Sequence, residues 1–190
     1  MIGLLLLQTI AITGATVYPV SGPKLEHATV LIRDGRIAAV GTRVVIPARA
    51  TRVDATTMWV TPGLLDGSGQ MGLVEIDGVA ATRDAEVKND TVAAAFNVAE
   101  GINPASTLIA ITRMEGVTTV LATPQTGLIR GQAVLIDLDG ATLEAMLVRS
   151  PAAVVAELSE ATKGAGGGSR AGAAARLRRV LDDAREYGLR

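Results

Sequence analysis

Side chains that could bind a transition metal or act as a nucleophile are scarce in this sequence. Its 190 residues include no cysteine and one histidine, His27. Cysteine-ligated zinc, disulfides and thiol catalysis are therefore excluded, as is any site that needs several histidines. His27 follows the first predicted strand, in a turn region. We expect it to be a solvated turn residue, because a metal or general-base role needs partners that it lacks.

Two other segments invite a chemical interpretation. Five carboxylates occur between positions 75 and 90, namely Glu75, Asp77, Asp84, Glu86 and Asp90. They could line a pocket or hold a cation through oxygen ligands. Their spacing is not that of a calcium-binding loop, so a solvated polar loop is favoured.

The second segment is glycine-rich. Residues 164–169 read GAGGGS and precede a predicted helix. A phosphate-binding loop needs a strand before it and a lysine at a fixed spacing, and neither is present. The glycine spacing of a dinucleotide-binding loop is off by one position at Ser169. We therefore expect a flexible linker whose Ser169 caps the following helix.

Composition excludes several kinds of partner. The 18 basic and 19 acidic residues leave a formal net charge of -1, without the basic excess that holds a phosphate backbone. Aromatic residues make up 2%, too few for a stacking platform, so no nucleic-acid partner is expected. No stretch approaches the ~18 apolar residues of a membrane helix, so no transmembrane segment is predicted. Residues 1–8 could be a signal remnant or open the first strand, which leaves the chain cytoplasmic or exported.

Residues 9–60 predict a small all-β unit. Apolar runs at 28–33 and 36–40 are separated by Asp34-Gly35, the pair most typical of a tight β-hairpin. Further short strands are predicted at 9–13, where Gly14 ends the strand, at 44–46 and at 52–55.

After residue 61 the pattern becomes that of an α/β fold. Asn103-Pro104 predicts a helix start and Gly116 a helix end. Residues 117–122 then form an apolar strand, which is the helix-to-strand step of a parallel sheet. A strand is also predicted at 132–138, with helices at about 141–162 and 171–187. Because a strand should follow the last helix in such a pattern, the chain looks cut short.

Residues 60–70 read VTPGLLDGSGQ. This segment resembles the first barrel strand of the amidohydrolase superfamily, whose signature there reads Pro-Gly-Leu-Ile-Asp-x-His-x-His. The resemblance extends upstream through ATVLIRDGRIAAVG (28–41) and VDATTMWVTPGLLD (53–66). Downstream it extends through GINPASTLIAITRMEGVTTVLATPQTGLIRGQ (101–132). It covers nearly all of residues 9–140 and points to metal-dependent hydrolases of the imidazolonepropionase-like kind.

The resemblance implies an α/β fold of two parts. Residues 9–60 would form a partial N-terminal β-sandwich. Residues 61–190 would form the first βα units of an incomplete (β/α)8 barrel, with a glycine-rich linker at 164–169. The loop after the first barrel strand leaves from the face on which such barrels build their active sites. Asp66 and Glu75 are therefore candidate pocket residues.

The resemblance also implies a chemistry that this chain lacks the residues to perform. In the family, the two histidines of the signature bind the metal that activates the attacking water. The matching positions here are Ser68 and Gln70, whose hydroxyl and amide are poor zinc ligands. The family reaction would hydrolyse non-peptide C–N bonds, as in cyclic amides, with zinc or another divalent metal. For this chain we expect no catalytic residue, no bound metal and no cofactor.

Two alternatives remain open. In one, the chain is a non-catalytic small-molecule-binding or scaffold homologue, in which Ser68 and Gln70 bond to a ligand or fill the former metal site. In the other, it is a truncated gene product. Self-association is expected in either case, because an open barrel exposes the last parallel strand, near Gln132 to Leu138.

Overall fold

The computed structural model describes residues 8–88 and 91–189. The chain divides into two compact units, Met1–Pro62 and Gly63–Arg190, each built around one β-sheet. Helices occur in the second unit, so the chain is of the mixed α/β class, as the sequence predicts. The candidate signal remnant lies, apart from Gln8, outside the described residues.

The first unit is a five-stranded sheet. Its order is β3-β2-β1-β4. The short strand β5 also pairs with β1, at Thr16 and Val17, whereas β4 pairs with residues 10–13. β2 is antiparallel to β1 and β3, whereas β4 and β5 run parallel to β1. The strands are β1 (Thr9–Val17), β2 (Leu25–Arg33), β3 (Arg36–Gly41), β4 (Thr51–Asp54) and β5 (Trp59–Val60). The core of this sheet consists of small and β-branched residues, namely Ala15, Val17, Ala28, Val30 and Ala55.

The hairpin predicted at Asp34-Gly35 is confirmed. β2 ends at Arg33 and β3 begins at Arg36, so the loop contains two residues. Asp34 has a φ of 53° and Gly35 a φ of 71°. A type I′ turn requires positive φ at both central positions, and Asp-Gly is a pair of residues that tolerates it.

Three local predictions in this unit are wrong. Gly14 does not end the first strand but lies, with a φ of 78°, at an irregularity where the register of β1 on β2 shifts. No strand forms at 44–46, because Pro47 ends this run of three residues and cannot donate a ladder hydrogen bond. His27 lies within β2 rather than in a turn, although it is exposed as expected.

The second unit begins with a four-stranded sheet of order β6-β7-β8-β9. β6 and β7 are parallel, and β8 and β9 follow antiparallel. Its elements are β6 (Leu64–Gly69), α1 (Thr107–Met114), β7 (Val117–Ala122), β8 (Ile129–Asp137), α2 (Leu143–Met146), β9 (Leu147–Ala156) and α3 (Arg170–Gly188). Short 3-10 helices occupy Ala80–Thr82, Val98–Gly101 and Glu160–Gly166.

The predicted parallel step from helix to strand is confirmed by β6, α1 and β7. α1 begins after Ser106 rather than after Asn103, whose side chain instead accepts a hydrogen bond from the Ala105 N–H at 3.0 Å. Gly116, with a φ of 91°, ends the helix as predicted. Its carbonyl then accepts the Leu64 N–H at 2.9 Å, which starts the pairing of β6 with β7.

The predictions for the following segment are correct only in part. The strand predicted at 132–138 forms as β8, but it returns antiparallel to β7. Residues 141–162 do not form a long helix. They contain the four-residue α2 and the strand β9, because residues 147–156 combine β-branched valines with Pro151, which interrupts a helix.

A long connection between β6 and α1 packs along this sheet. It contributes Leu73 and Val98 to a core that also contains Val120, Ile136 and Met146. Isolated backbone bridges join the connection to residues that follow β7 and to β8. The connection is therefore fixed near the carboxyl ends of the two parallel strands, where α/β folds place their binding sites.

Candidate functional site

Asp66, Ser68 and Gln70 follow one another along β6 and just beyond its end. The Asp66 Oδ1 accepts the Ser68 backbone N–H at 3.0 Å, so this carboxylate is turned back onto its own strand. The Ser68 Oγ lies 3.4 Å from the Oγ1 of Thr123, the residue that follows β7. Thr123 also donates its backbone N–H to the Gly69 carbonyl at 2.9 Å. Ser68 is thus part of the junction between the two parallel strands.

These residues do not fit a catalytic zinc ion. Zinc in such sites takes three protein ligands, drawn from imidazole, carboxylate and thiolate groups. Ser68 offers a neutral hydroxyl that already faces Thr123, and Gln70 offers a neutral amide. Within residues 8–88 and 91–189, no group of three or more His, Asp or Glu side chains is placed to hold a metal ion.

Gln70 instead lines a cavity of about 410 Å³. The cavity lies beside the carboxyl ends of β6 and β7, between Gln70 and Gln125. Its lining combines three aliphatic side chains with charged and amide groups: Gln70, Met71, Val74, Glu75, Asp77, Arg83, Leu108 and Gln125. Glu75, the other candidate pocket residue, is in this lining, whereas Asp66 is not.

The Glu75 carboxylate is held by two neutral donors. Its Oε1 accepts the Asn103 Nδ2 at 2.9 Å, and its Oε2 accepts the Ser106 hydroxyl at 2.8 Å. Ser106 is buried at the start of α1. The two hydrogen bonds therefore fix the carboxylate at the cavity wall and tie the long connection to the helix.

Arg83 is the cationic group of the cavity. Its backbone pairs antiparallel with Val74, which fixes its position opposite the segment that carries Glu75. The Arg83 Nη1 lies 3.1 Å from the Asp77 Oδ1, and its Nη2 donates to the Gln125 Oε1 at 3.2 Å. The Arg83 side chain is 27% exposed and that of Asp77 94%, so a sheltered guanidinium is paired with a carboxylate in solvent.

The acidic residues between 75 and 90 do not form one cluster. Glu75 and Asp77 line the cavity, whereas Glu86 accepts the Thr126 hydroxyl at 2.6 Å elsewhere on the connection. Asp84 is exposed, and Asp90 lies outside the described residues. The spacing of the carboxylates alone does not point to Arg83 and Gln125, which also line the cavity. The position of Gln125, shortly after an apolar strand, is the signal that could have identified it.

The glycine-rich segment is more ordered than expected. Residues 164–166 belong to the 3-10 helix Glu160–Gly166, whose Ser159 and Thr162 form a capping box. The predicted cap of the last helix is confirmed, since the Ser169 Oγ accepts the Gly172 N–H at 3.0 Å.

Among the helices that the structure describes, none combines the length and the apolar character that a membrane span needs.

The architecture is similar to that of a solved amidohydrolase. An amidohydrolase from Thermotoga maritima MSB8 matches 94% of this chain, with a TM-score of 0.81 and 26% sequence identity. Two dihydroorotases, from Anaeromyxobacter sp. (strain K) and Anaeromyxobacter dehalogenans (strain 2CP-1 / ATCC BAA-258), are each 47% identical over 53 residues, or 28% of this chain. A search of protein-family models gave no match.

Together with the signature that spans β6, these similarities support assignment of the chain to the amidohydrolase superfamily. The chain spans about half of the T. maritima amidohydrolase, 48% of its length. It spans 12% of the length of each dihydroorotase.

Proposed function

We propose that this chain is a superfamily member whose former metal site no longer supports hydrolysis. The observation that carries the proposal is the pair Ser68 and Gln70 at the positions of the two signature histidines. The family reaction would be metal-assisted hydrolysis of non-peptide C–N bonds, such as those of cyclic amides. A chain without imidazole at these positions lacks the ligands that hold the activating ion.

Calorimetric titration with zinc chloride, followed by a hydrolysis assay on dihydroorotate and other simple cyclic amides, tests this proposal. We expect no tight zinc site and no metal-dependent turnover. A sub-micromolar site with one zinc per chain, together with turnover that a chelator abolishes, would overturn it. A tight zinc site without turnover would overturn the statement about the metal and leave the statement about hydrolysis intact.

We also propose how the two units correspond to the family fold. The five-stranded sheet would be part of an N-terminal β-sandwich, and β6-α1-β7 the first units of a (β/α)8 barrel. The parallel pairing of β6 with β7 through α1 supports this correspondence, as does the similarity to the T. maritima amidohydrolase. The antiparallel strands β8 and β9 would then be an addition to the barrel pattern.

A second candidate function is the binding of a small molecule without catalysis. The cavity beside Gln70 favours it, because it combines apolar walls with a few fixed polar groups at the carboxyl ends of parallel strands. Its volume of about 410 Å³ is in the range of small-ligand pockets.

Self-association of the chain is a separate proposal, which rests on the exposed apolar residues of β6.

A further inference from the structure

We infer that this cavity binds a small zwitterion of the α-amino-acid type, with an aliphatic side chain. The inference rests on the proposed ligand-binding function and names the class of ligand. It follows from the two opposite charges on the cavity wall, at Glu75 and Arg83, and from the apolar side chains between the polar groups.

Glu75 is the group that would bind an ammonium. Both of its oxygens accept hydrogen bonds from neutral donors, Asn103 and Ser106, which orient the carboxylate without neutralising its charge. Among the ion pairs of the described residues, none involves Glu75. Glu75 is half-buried and its negative charge is not balanced by an ion pair, so it favours a bound cation. A primary ammonium supplies both a positive charge and hydrogen-bond donors.

Arg83 is the group that would bind a carboxylate. Its guanidinium has five N–H donors, of which Nη1 and Nη2 each make one bond, to Asp77 and Gln125. The Asp77 side chain is almost fully exposed, so its ion pair contributes little to stability. A ligand carboxylate can replace Asp77 and bind the sheltered guanidinium in the two-bond geometry that arginine favours.

The remaining walls fit an aliphatic side chain. Met71, Val74 and Leu108 are half-buried and line the same cavity as the two charged groups. Contact with them would remove apolar ligand surface from water, which favours binding. Gln70 and Gln125 supply neutral donors and acceptors at the rim, and these accommodate either end of a zwitterion.

Calorimetric or NMR titration of the full chain with L-leucine tests the inference. Leucinamide lacks the carboxylate and N-acetyl-L-leucine lacks the ammonium, so each keeps one charge of the pair. We expect L-leucine to bind at least about tenfold more tightly than either analogue, since each lost contact is a charge-assisted hydrogen bond. Equal binding of L-leucine and N-acetyl-L-leucine, or of L-leucine and leucinamide, would contradict the role given to Glu75 or Arg83 respectively.

Substitutions at Arg83 and at Asp77 have opposite expected effects. Arg83→Gln should weaken L-leucine binding by about tenfold or more, and Arg83→Lys by less, because the charge is kept. Asp77→Asn should tighten it several-fold, because Asp77 competes with the ligand for the guanidinium. Asp139→Asn is the matched control: Asp139 is also 94% exposed and pairs with an arginine, Arg113, at 3.3 Å, and it is not part of the cavity lining.

The outcomes separate this inference from the proposed loss of hydrolysis. No binding of L-leucine by the wild type and by Asp77→Asn, while both remain folded by circular dichroism, would overturn the zwitterion site. The zinc titration tests the proposed loss of hydrolysis, and its result does not depend on whether L-leucine binds. Weaker binding by Asp77→Asn would also contradict the inference, even if Arg83→Gln fails to fold.

Discussion

Ser68 and Gln70 occupy equivalent places in the family signature, but their surroundings in this chain differ. Ser68 faces Thr123 across the junction of two parallel strands, whereas Gln70 faces the cavity. The Ser68 hydroxyl therefore takes part in a contact that joins strands, and the Gln70 amide is a neutral group on a pocket wall. The Ser68 hydroxyl has a protein partner in Thr123, so it does not require a metal ion for its hydrogen bonding.

Introducing histidines at the two signature positions should not produce hydrolysis. Ser68→His with Gln70→His supplies two zinc ligands, but a catalytic zinc takes three protein ligands, and no general base is identified nearby. We expect weak zinc binding and no turnover of simple cyclic amides in a metal-supplemented assay. Metal-dependent turnover by the double variant, absent from the two single variants, would show that further ligands exist in this chain.

A second residue-scale prediction concerns Asp54, at the end of β4. The Thr56 hydroxyl at 2.6 Å and then the Thr56 backbone N–H at 2.9 Å lower the pKa of this carboxyl by hydrogen bonding to its charged form. Such a group stabilises the fold above its unfolded pKa, and this contribution is lost as the pH falls through its lower folded pKa. Thr56→Val should therefore raise the Asp54 pKa toward its ordinary value, as followed by NMR titration of the carboxyl carbon.

Thr29→Val on β2 is the matched control for this titration. It makes the same change of side chain, but the hydrogen bonds that lower the Asp54 pKa come from Thr56. An unchanged Asp54 pKa in Thr56→Val would contradict the prediction. An equal rise in Thr29→Val would show that the effect is not specific to this hydrogen bond.

At the scale of elements, the sequence predicts structure well where one or two residues determine the backbone. Asp34-Gly35 defines a hairpin and Gly116 a helix end, since only a few residue types tolerate those φ values. The sequence does not predict the structure of residues 147–156, because an apolar run suits either a helix or a strand. Pairing with β8 determines that a strand forms. The cavity could be predicted only in part. Arg83 is positioned at it by backbone pairing with Val74, and no local sequence pattern predicts that pairing.

Gly131 in β8 shows how closely the long connection packs on the sheet. It has a φ of 127°, and a Cβ at this position would lie 2.4 Å from the backbone oxygen of Phe96. Gly131→Ala should therefore lower the free energy of unfolding by about 3 kcal/mol, because overlap with the backbone adds to the cost of the conformation. Gly116→Ala, where φ is also positive but the space is open, should cost only about 1 kcal/mol. Urea unfolding of both variants measures the difference, and equal losses would contradict it.

At the scale of the whole molecule, the exposed edges of the second sheet differ. In the described structure β6 and β9 are the end strands, so the expectation that 132–138 forms the open edge is wrong: β8 is paired on both sides. β9 carries Arg149 and Pro151, which discourage pairing with another strand. β6 carries Leu64 and Leu65, which are 57% and 60% exposed although they lie on opposite faces of the strand. β6 contains neither arginine nor proline, so a second strand paired there would bury its exposed leucines.

In the self-association proposed above, a second copy of the chain would pair at this edge. Two β6 strands paired antiparallel about a two-fold axis through Leu65 would place the two Leu65 residues opposite each other and Leu64 opposite Asp66. That register avoids facing the two Asp66 carboxylates directly, which would be unfavourable. The eight resulting strands would form one continuous sheet, in which both β6 strands have partners on each side.

Size-exclusion chromatography with light scattering should therefore show a dimer or larger species that dissociates on dilution, rather than only the 19.5 kDa monomer. Leu65→Lys should yield the monomer, because a charge at an edge strand opposes pairing with a second strand. Val154→Lys on β9 is the control, since Val154 is 61% exposed on the other end strand and its replacement should leave the association unchanged. A wild-type chain that is monomeric at every concentration and melts cooperatively would contradict the prediction, because the exposed leucines of β6 would then be stable in water. Loss of association in Val154→Lys but not in Leu65→Lys would instead place the contact at β9.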